Sequence, residues 1–123
     1  MTTAYWMVLA AGLMPYWATG VAKWRRTYDN ARPRDGLDTL SPKQQRAWWA
    51  QLNAFEVFPL FAAAVIIAHQ AGAAQSAIDG LAVIFVLLRV AYILAYIHDL
   101  PTLRSLLWIA ATGCVIGLFA VAA

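Results

Sequence analysis

Four long apolar segments alternate with short polar stretches along the chain, covering about residues 4–22, 44–70, 78–97 and 103–123. Each segment supplies the roughly 20 residues that an α-helix needs to cross the core of a bilayer, and the second is longer because it begins with polar residues. In lipid every backbone polar group must be satisfied within its own segment, which favours helices. The alternating pattern of a membrane barrel is not seen. The pattern therefore predicts an all-α, integral membrane four-helix bundle that forms one domain over residues 1–123.

The polar stretch at residues 23–43 carries its own structural signals. Residues 29–36 place Asp, Asn, Pro and Gly in quick succession, which is typical of turns. Ser41 followed by Pro42 matches an N-cap residue before a proline at the first helical position. We therefore expect a loop over residues 23–43 and a second helix that begins near Pro42, before its apolar part.

Composition agrees with a lipid environment. The 123 residues are 63% hydrophobic and 12% charged, whereas soluble domains are about half apolar and a quarter charged. This composition excludes intrinsic disorder. Cys114 is the only cysteine, so a disulfide framework within the chain is impossible.

The distribution of charge predicts how the chain is oriented. Seven of the nine Lys and Arg residues fall within residues 23–46, and basic loops stay in the cytoplasm. The loop at residues 23–43 should therefore be cytoplasmic and both termini outside. The charges cluster between two apolar segments, which argues against a nucleic-acid partner. Because they follow the first segment rather than precede it, we favour a retained anchor over a cleaved signal peptide.

Polar side chains inside the apolar segments are costly and are candidates for function. On the second segment, helical spacing places one stripe on a single face, formed by Arg46, Trp49, Asn53 and Glu56. A second stripe on the third segment consists of Arg89, Tyr92 and Tyr96. Counted from the cytoplasmic surface at 1.5 Å per residue, Glu56 lies about 15 Å deep and Arg89 about 13 Å deep.

Glu56 and Arg89 are therefore expected to meet, and two interpretations follow. The pair could be a buried structural ion pair that fixes helix register, which by itself says little about stability. Alternatively, it could be the floor of a polar pocket, open to the cytoplasm, that also contains Arg104. Arginines, an amide and two phenols suit an anionic, peptide-like molecule.

Other chemistry is weakly represented. His69 and His98 are predicted at opposite membrane faces, so they cannot share a metal or haem, and we predict no metal site. Most of the tryptophans lie near segment ends, where an aromatic belt explains them. No phosphate-binding loop or Ser/His/Asp arrangement is visible in the sequence.

Three blocks of residues, in order along the chain, resemble the MAPEG family, the membrane-associated proteins in eicosanoid and glutathione metabolism. Residues 46–59, RAWWAQLNAFEVFP, are similar to its second-helix signature of Arg, Asn-x-x-Glu and Pro. Residues 89–96, RVAYILAY, resemble its third helix, and Arg104-Ser105 the start of its fourth. Residues 28–34 look like the family's bacterial branch, which implies a bacterial inner membrane.

The resemblance implies a homotrimer that binds glutathione as co-substrate between subunits near the cytoplasmic side. Asn53 and Glu56 would hold the tripeptide, with Glu56 on its amino group. Residues implied to line or brace the site are Arg46, Arg89, Tyr92 and Tyr96. Arg104 would stabilise the thiolate, with Ser105 as a nearby hydrogen-bond donor and Arg26 or Arg25 as substitutes from the loop.

Two positions depart from the family pattern. Trp49 stands where well-characterised members carry a basic residue, and Val57 stands where many carry an aromatic or polar one. The departures leave open a lower glutathione affinity or a different thiol or anion.

Three functions compete. The first is a membrane-bound glutathione transferase or peroxidase that acts on lipophilic electrophiles or lipid hydroperoxides. The second is a non-catalytic protein of the same scaffold that binds a lipid or small anion. The third, a small multidrug transporter, normally needs an acidic residue in its first helix, and residues 4–22 contain none.

Overall fold

The computed structural model describes residues 1–24 and 29–123, which form four α-helices and one short 3-10 turn, with no strand in these two ranges. The helices are α1 (Thr3–Ala22), α2 (Pro42–Gln70), α3 (Gln75–Ile97) and α4 (Pro101–Ala122), and the 3-10 turn is Leu37–Thr39. This confirms the all-α fold. Helix α3 begins earlier than expected because its polar first turn precedes the apolar run from which the prediction was made.

The helices pack as an antiparallel bundle in which α2 and α3 are central. Helix α1 packs against α2 and α3, and α4 packs against α3 and α2. Alanines on α2 and the stacked rings of Phe61 and Phe85, 3.9 Å between centroids, allow α2 and α3 to approach closely. Small side chains at helix contacts are typical of membrane bundles, in which packing rather than water exclusion drives association.

Three of the described helices, α2, α3 and α4, are long and apolar enough to cross a membrane by length and composition. Helix α1 has the required 20 residues and carries no charge. However, its tyrosines, tryptophans and Pro15 lower its mean hydropathy. A fourth membrane crossing by α1 remains a prediction.

Both short turns of the bundle use the same helix-ending motif. At the end of α2, Gly72 is left-handed (φ 75°), and the Ala73 amide donates to the Ala68 carbonyl. At the end of α3, Asp99 is left-handed (φ 59°), and the Leu100 amide donates to the Ala95 carbonyl. This pattern of hydrogen bonds satisfies carbonyls that the helix end would otherwise leave unpaired. The turns hold α2, α3 and α4 in a tight antiparallel arrangement.

The start of α2 confirms the sequence prediction. Ser41 accepts a hydrogen bond from the Gln44 amide, and the Gln44 side chain accepts one from the Ser41 amide. This capping box, with Pro42 at the first helical position, fixes where the loop ends.

A polar cluster ties the other end of α1 to α2 and α3. Asp79 on α3 accepts hydrogen bonds from the Ala4 amide (2.7 Å) and from Gln75 (2.9 Å). His69 donates from Nδ1 to the Val65 carbonyl, and its Nε2 lies 3.0 Å from Thr2 Oγ1. The sequence analysis gave Asp79 no role, because only the fold brings it to the first turn of α1.

We expect Asp79→Ala to lower the free energy of unfolding by about 1 kcal/mol, because the Ala4 amide loses the acceptor that caps α1. Asp79→Asn, which keeps an acceptor oxygen, should lose less. Thermal unfolding in detergent measures both, with Asp38→Ala in the exposed loop as control. An Asp79→Ala melting temperature equal to that of the control would contradict this role for Asp79.

Candidate functional site

A buried guanidinium lies between α2 and α3. Arg89 is only 2% exposed, and its Nη2 donates to Asn53 Oδ1 at 2.8 Å. Asn53 in turn donates from Nδ2 to Glu56 Oε2 at 3.3 Å. The prediction of a direct ion pair between Glu56 and Arg89 is wrong. Asn53 lies between the two side chains and bonds to both, and Glu56 is exposed in the single chain. The two charges do lie at neighbouring heights, linked through one amide.

A series of aromatic contacts leads from this guanidinium to α4. The Arg89 guanidinium lies over the Tyr92 ring, 4.1 Å from its centroid. The Tyr92 and Tyr96 rings meet edge to face at 5.7 Å. The Arg104 guanidinium then lies over the Tyr96 ring at 4.5 Å. Both cation–ring distances fall within the range of about 6 Å over which such contacts are attractive.

Local sequence explains these positions. Residues 89, 92 and 96 share one face of α3 because they follow the three- and four-residue spacing of a helix. The tight turn at Asp99 and Pro101 at the start of α4 return the chain at once. Arg104 is therefore in the first turn of α4, beside the last turn of α3. Ser105 follows it, with its hydroxyl donating to the Pro101 carbonyl at 3.1 Å.

These side chains line one surface groove with two lobes, both containing Asn53, Tyr92 and Tyr96. The carboxylate lobe, of about 480 Å³, adds Glu56, Trp49 and Leu52. The guanidinium lobe, of about 350 Å³, adds Arg104, Ser105, Trp108 and Ile109. These volumes lie at the lower end of those usual for small-molecule sites, roughly 300–1,000 Å³.

Some expected site residues do not line the groove. Arg46 donates from Nε to the Ile97 carbonyl at 3.2 Å, so it fastens α2 to the end of α3. Arg89 lies behind Tyr92 and supports the groove from within. Arg26, and Arg25 with it, lie outside the described residues.

Sequence reasoning gave no site role to several residues that do line the groove. Trp108 and Ile109 on α4 belong to the guanidinium lobe, and Leu52 to the carboxylate lobe. The available signal was helical spacing, because Trp108 follows Arg104 by four residues and therefore shares its face. Trp49, which belongs to the polar stripe of α2 and departs from the family pattern, has its ring centroid 6.4 Å from that of Tyr96.

The arrangement offers complementary charges in one cleft. Glu56 can accept hydrogen bonds from a ligand amine, and Arg104 can bind an anion. The Asn53 amide and the hydroxyls of Tyr92 and Tyr96 can bond polar groups between them. A zwitterionic molecule that carries an amine at one end and an anionic group further along matches this order of groups.

A family model described as the MAPEG family matches residues 3–123. No curated protein matches the chain at a significant level.

Replacement of Asn53 should destabilise the protein more than replacement of Arg89. Asn53→Leu removes the amide acceptor of a buried cation, which costs about 2 kcal/mol. Arg89→Leu removes the cation itself, and a buried charge replaced by an apolar residue of similar size is often tolerated. Thermal unfolding of both variants and of the double variant measures the difference.

In the double variant, Arg89→Leu should recover part of the stability lost through Asn53→Leu, since no buried cation remains without its acceptor. Additive losses in the double variant would contradict the coupling of these two side chains.

Proposed function

Because the chain belongs to the MAPEG family, we propose that this integral membrane protein is a glutathione-dependent transferase or peroxidase. Its second substrate is a lipophilic electrophile or a lipid hydroperoxide. The observation that carries the proposal is the pair of adjoining lobes, one with the Glu56 carboxylate and the other with the Arg104 guanidinium, which share three lining residues. Members of the family generally use glutathione, whose amine and thiolate match these two groups.

The two lobes suggest how the tripeptide lies. Its amino group is bound by Glu56 in the carboxylate lobe, where Asn53 orients that carboxylate through a hydrogen bond. Its peptide groups lie against Asn53, Tyr92 and Tyr96, which both lobes share. Its sulfur is then in the guanidinium lobe, beside Arg104. Arg89 holds Asn53 and Tyr92 in place from the interior.

Arg104 activates the glutathione thiol as a nucleophile. An ordinary cysteine thiol has a pKa of about 8.5, so most of it is protonated at neutral pH, and a close guanidinium lowers that pKa. The Arg104 guanidinium lies over the Tyr96 ring, and a donor already held at this place would need little reorganisation when the thiolate forms. Ser105 adjoins it, and it would become a second donor when its hydroxyl turns from the Pro101 carbonyl to the sulfur. Arg26, which lies outside the described residues, is the proposed substitute for Arg104.

One observation favours a second candidate, a non-catalytic protein that binds a lipid or small anion in the same groove. Trp49, rather than a basic residue, lines the carboxylate lobe, so the groove has one cation fewer for a tripeptide with two carboxylates. A protein that binds a ligand in this groove but shows no conjugation of glutathione would support this candidate.

We further propose a homotrimer in a bacterial inner membrane, with both termini outside and the basic loop in the cytoplasm. The groove is open on the surface of the single chain, and Glu56 is exposed there. A neighbouring subunit against this face would close the site and exclude water. The groove residues on α2, α3 and α4 lie near the end of the bundle where Arg46 meets Ile97, and the basic loop joins the bundle at that same end.

We expect Glu56→Gln and Arg104→Ala each to weaken glutathione binding or turnover, by about tenfold or more, because each removes a charge that pairs with the tripeptide. Calorimetry on the detergent-purified protein measures the glutathione affinity, and a conjugation assay measures the turnover. Native mass spectrometry checks that the trimer survives in both variants.

Matched controls are Asp38→Asn and Arg34→Ala, which make similar changes in the exposed loop away from the groove. Both controls should behave as the unaltered protein does. Full affinity and full conjugation activity in Glu56→Gln and Arg104→Ala would contradict the roles proposed for these two residues.

A further inference from the structure

One large aromatic side chain in the groove has no part in the proposed binding of glutathione. Trp108 lies one helical turn beyond Arg104 on the same face of α4, and it lines the guanidinium lobe. Its side chain is 43% exposed in the single chain. Ile109 beside it gives this part of the lobe an apolar wall, while Ser105 and Arg104 form the polar end.

The position of Trp108 relates it to the reacting atoms. If the thiolate is held at Arg104, an electrophile must approach it within the same lobe. Helix α4 rises about 1.5 Å per residue, so Trp108 lies about 6 Å along the helix from Arg104. An aromatic electrophile whose ring stacks on the Trp108 indole would have the edge of that ring within reach of the glutathione sulfur.

The chemistry of the lobe favours a flat, electron-poor partner. The indole of Trp108 has an electron-rich face, and the rings of Tyr92 and Tyr96, which meet edge to face, line the same lobe. Offset stacking on such rings adds to simple area burial. A flexible alkyl chain gains no stacking and loses more conformational freedom when it is held.

We propose that Trp108 is the specificity-determining residue for the second substrate, and that it selects flat aromatic electrophiles over flexible aliphatic ones. This inference rests on the proposed function. For a chlorinated nitroaromatic, the glutathione thiol first gives its proton to solvent. The thiolate sulfur then forms a bond to the ring carbon, and the carbon–chlorine bond breaks with its electron pair leaving as chloride.

The test compares two probes in variants of Trp108. Chlorodinitrobenzene is the flat aromatic electrophile, and nonenal is the flexible aliphatic one. Trp108→Leu should lower kcat/KM for chlorodinitrobenzene on the order of tenfold, with less than a roughly twofold change for nonenal and for the glutathione Kd. Trp108→Phe, which keeps a ring, should retain most of the preference. Trp6→Leu, a half-exposed tryptophan on α1 outside the groove, is the matched control.

A second measurement separates this inference from the proposed function. Dinitroaniline, an unreactive flat nitroaromatic, is titrated into the protein without glutathione, and Trp108→Leu should weaken its binding on the order of tenfold. If the unaltered protein binds no glutathione but the nitroaromatic titration behaves as stated, the proposed function fails, and with it the role of Trp108 in conjugation, while its binding of flat aromatic molecules stands. Equal effects of Trp108→Leu on the aromatic and aliphatic probes, or unchanged nitroaromatic binding, would overturn the inference.

Discussion

The buried guanidinium of Arg89 constrains the whole site. A cation in an apolar interior is costly unless it is surrounded by acceptors or electron-rich groups. Here the acceptor is Asn53 on the neighbouring helix, and the electron-rich group is the ring of Tyr92. Both requirements together fix the height and rotation of α2 relative to α3. Since Asn53 also bonds Glu56, and Tyr92 contacts Tyr96, one buried charge is linked to four polar side chains of the groove.

Much of the fold could be predicted from the sequence, since it depends on local signals. Apolar runs give the helices, and Ser41-Pro42 gives the start of α2, as the structure confirms. The heights of Glu56 and Arg89 also follow from the rise of a helix. A direct contact between Glu56 and Arg89 does not follow from their heights, because height says nothing about rotation around the helix axis. The rotation of the two helices places Asn53 between the two charges. Asp79 was missed for a related reason, since its partner Ala4 lies on a distant segment.

The groove separates recognition from reactivity along its length. The carboxylate lobe contains the only acidic side chain among the groove residues that the structure describes, and the guanidinium lobe contains the arginine and an apolar wall. A tripeptide that spans both lobes would carry its sulfur to the place where a membrane-soluble partner can reach it. Tyr96 links the lobes, because Trp49 approaches its ring from α2 while Arg104 lies over it from α4.

An experimental density map of the protein with glutathione, in a lipid nanodisc, tests the central claim most directly. The account predicts ligand density along the groove, with the amino group at Glu56, the sulfur near Arg104 and Asn53 still bonded to Arg89. Ligand density against α1 with the groove empty, or a groove that faces lipid on every side with Arg104 turned away from Tyr96, would contradict it.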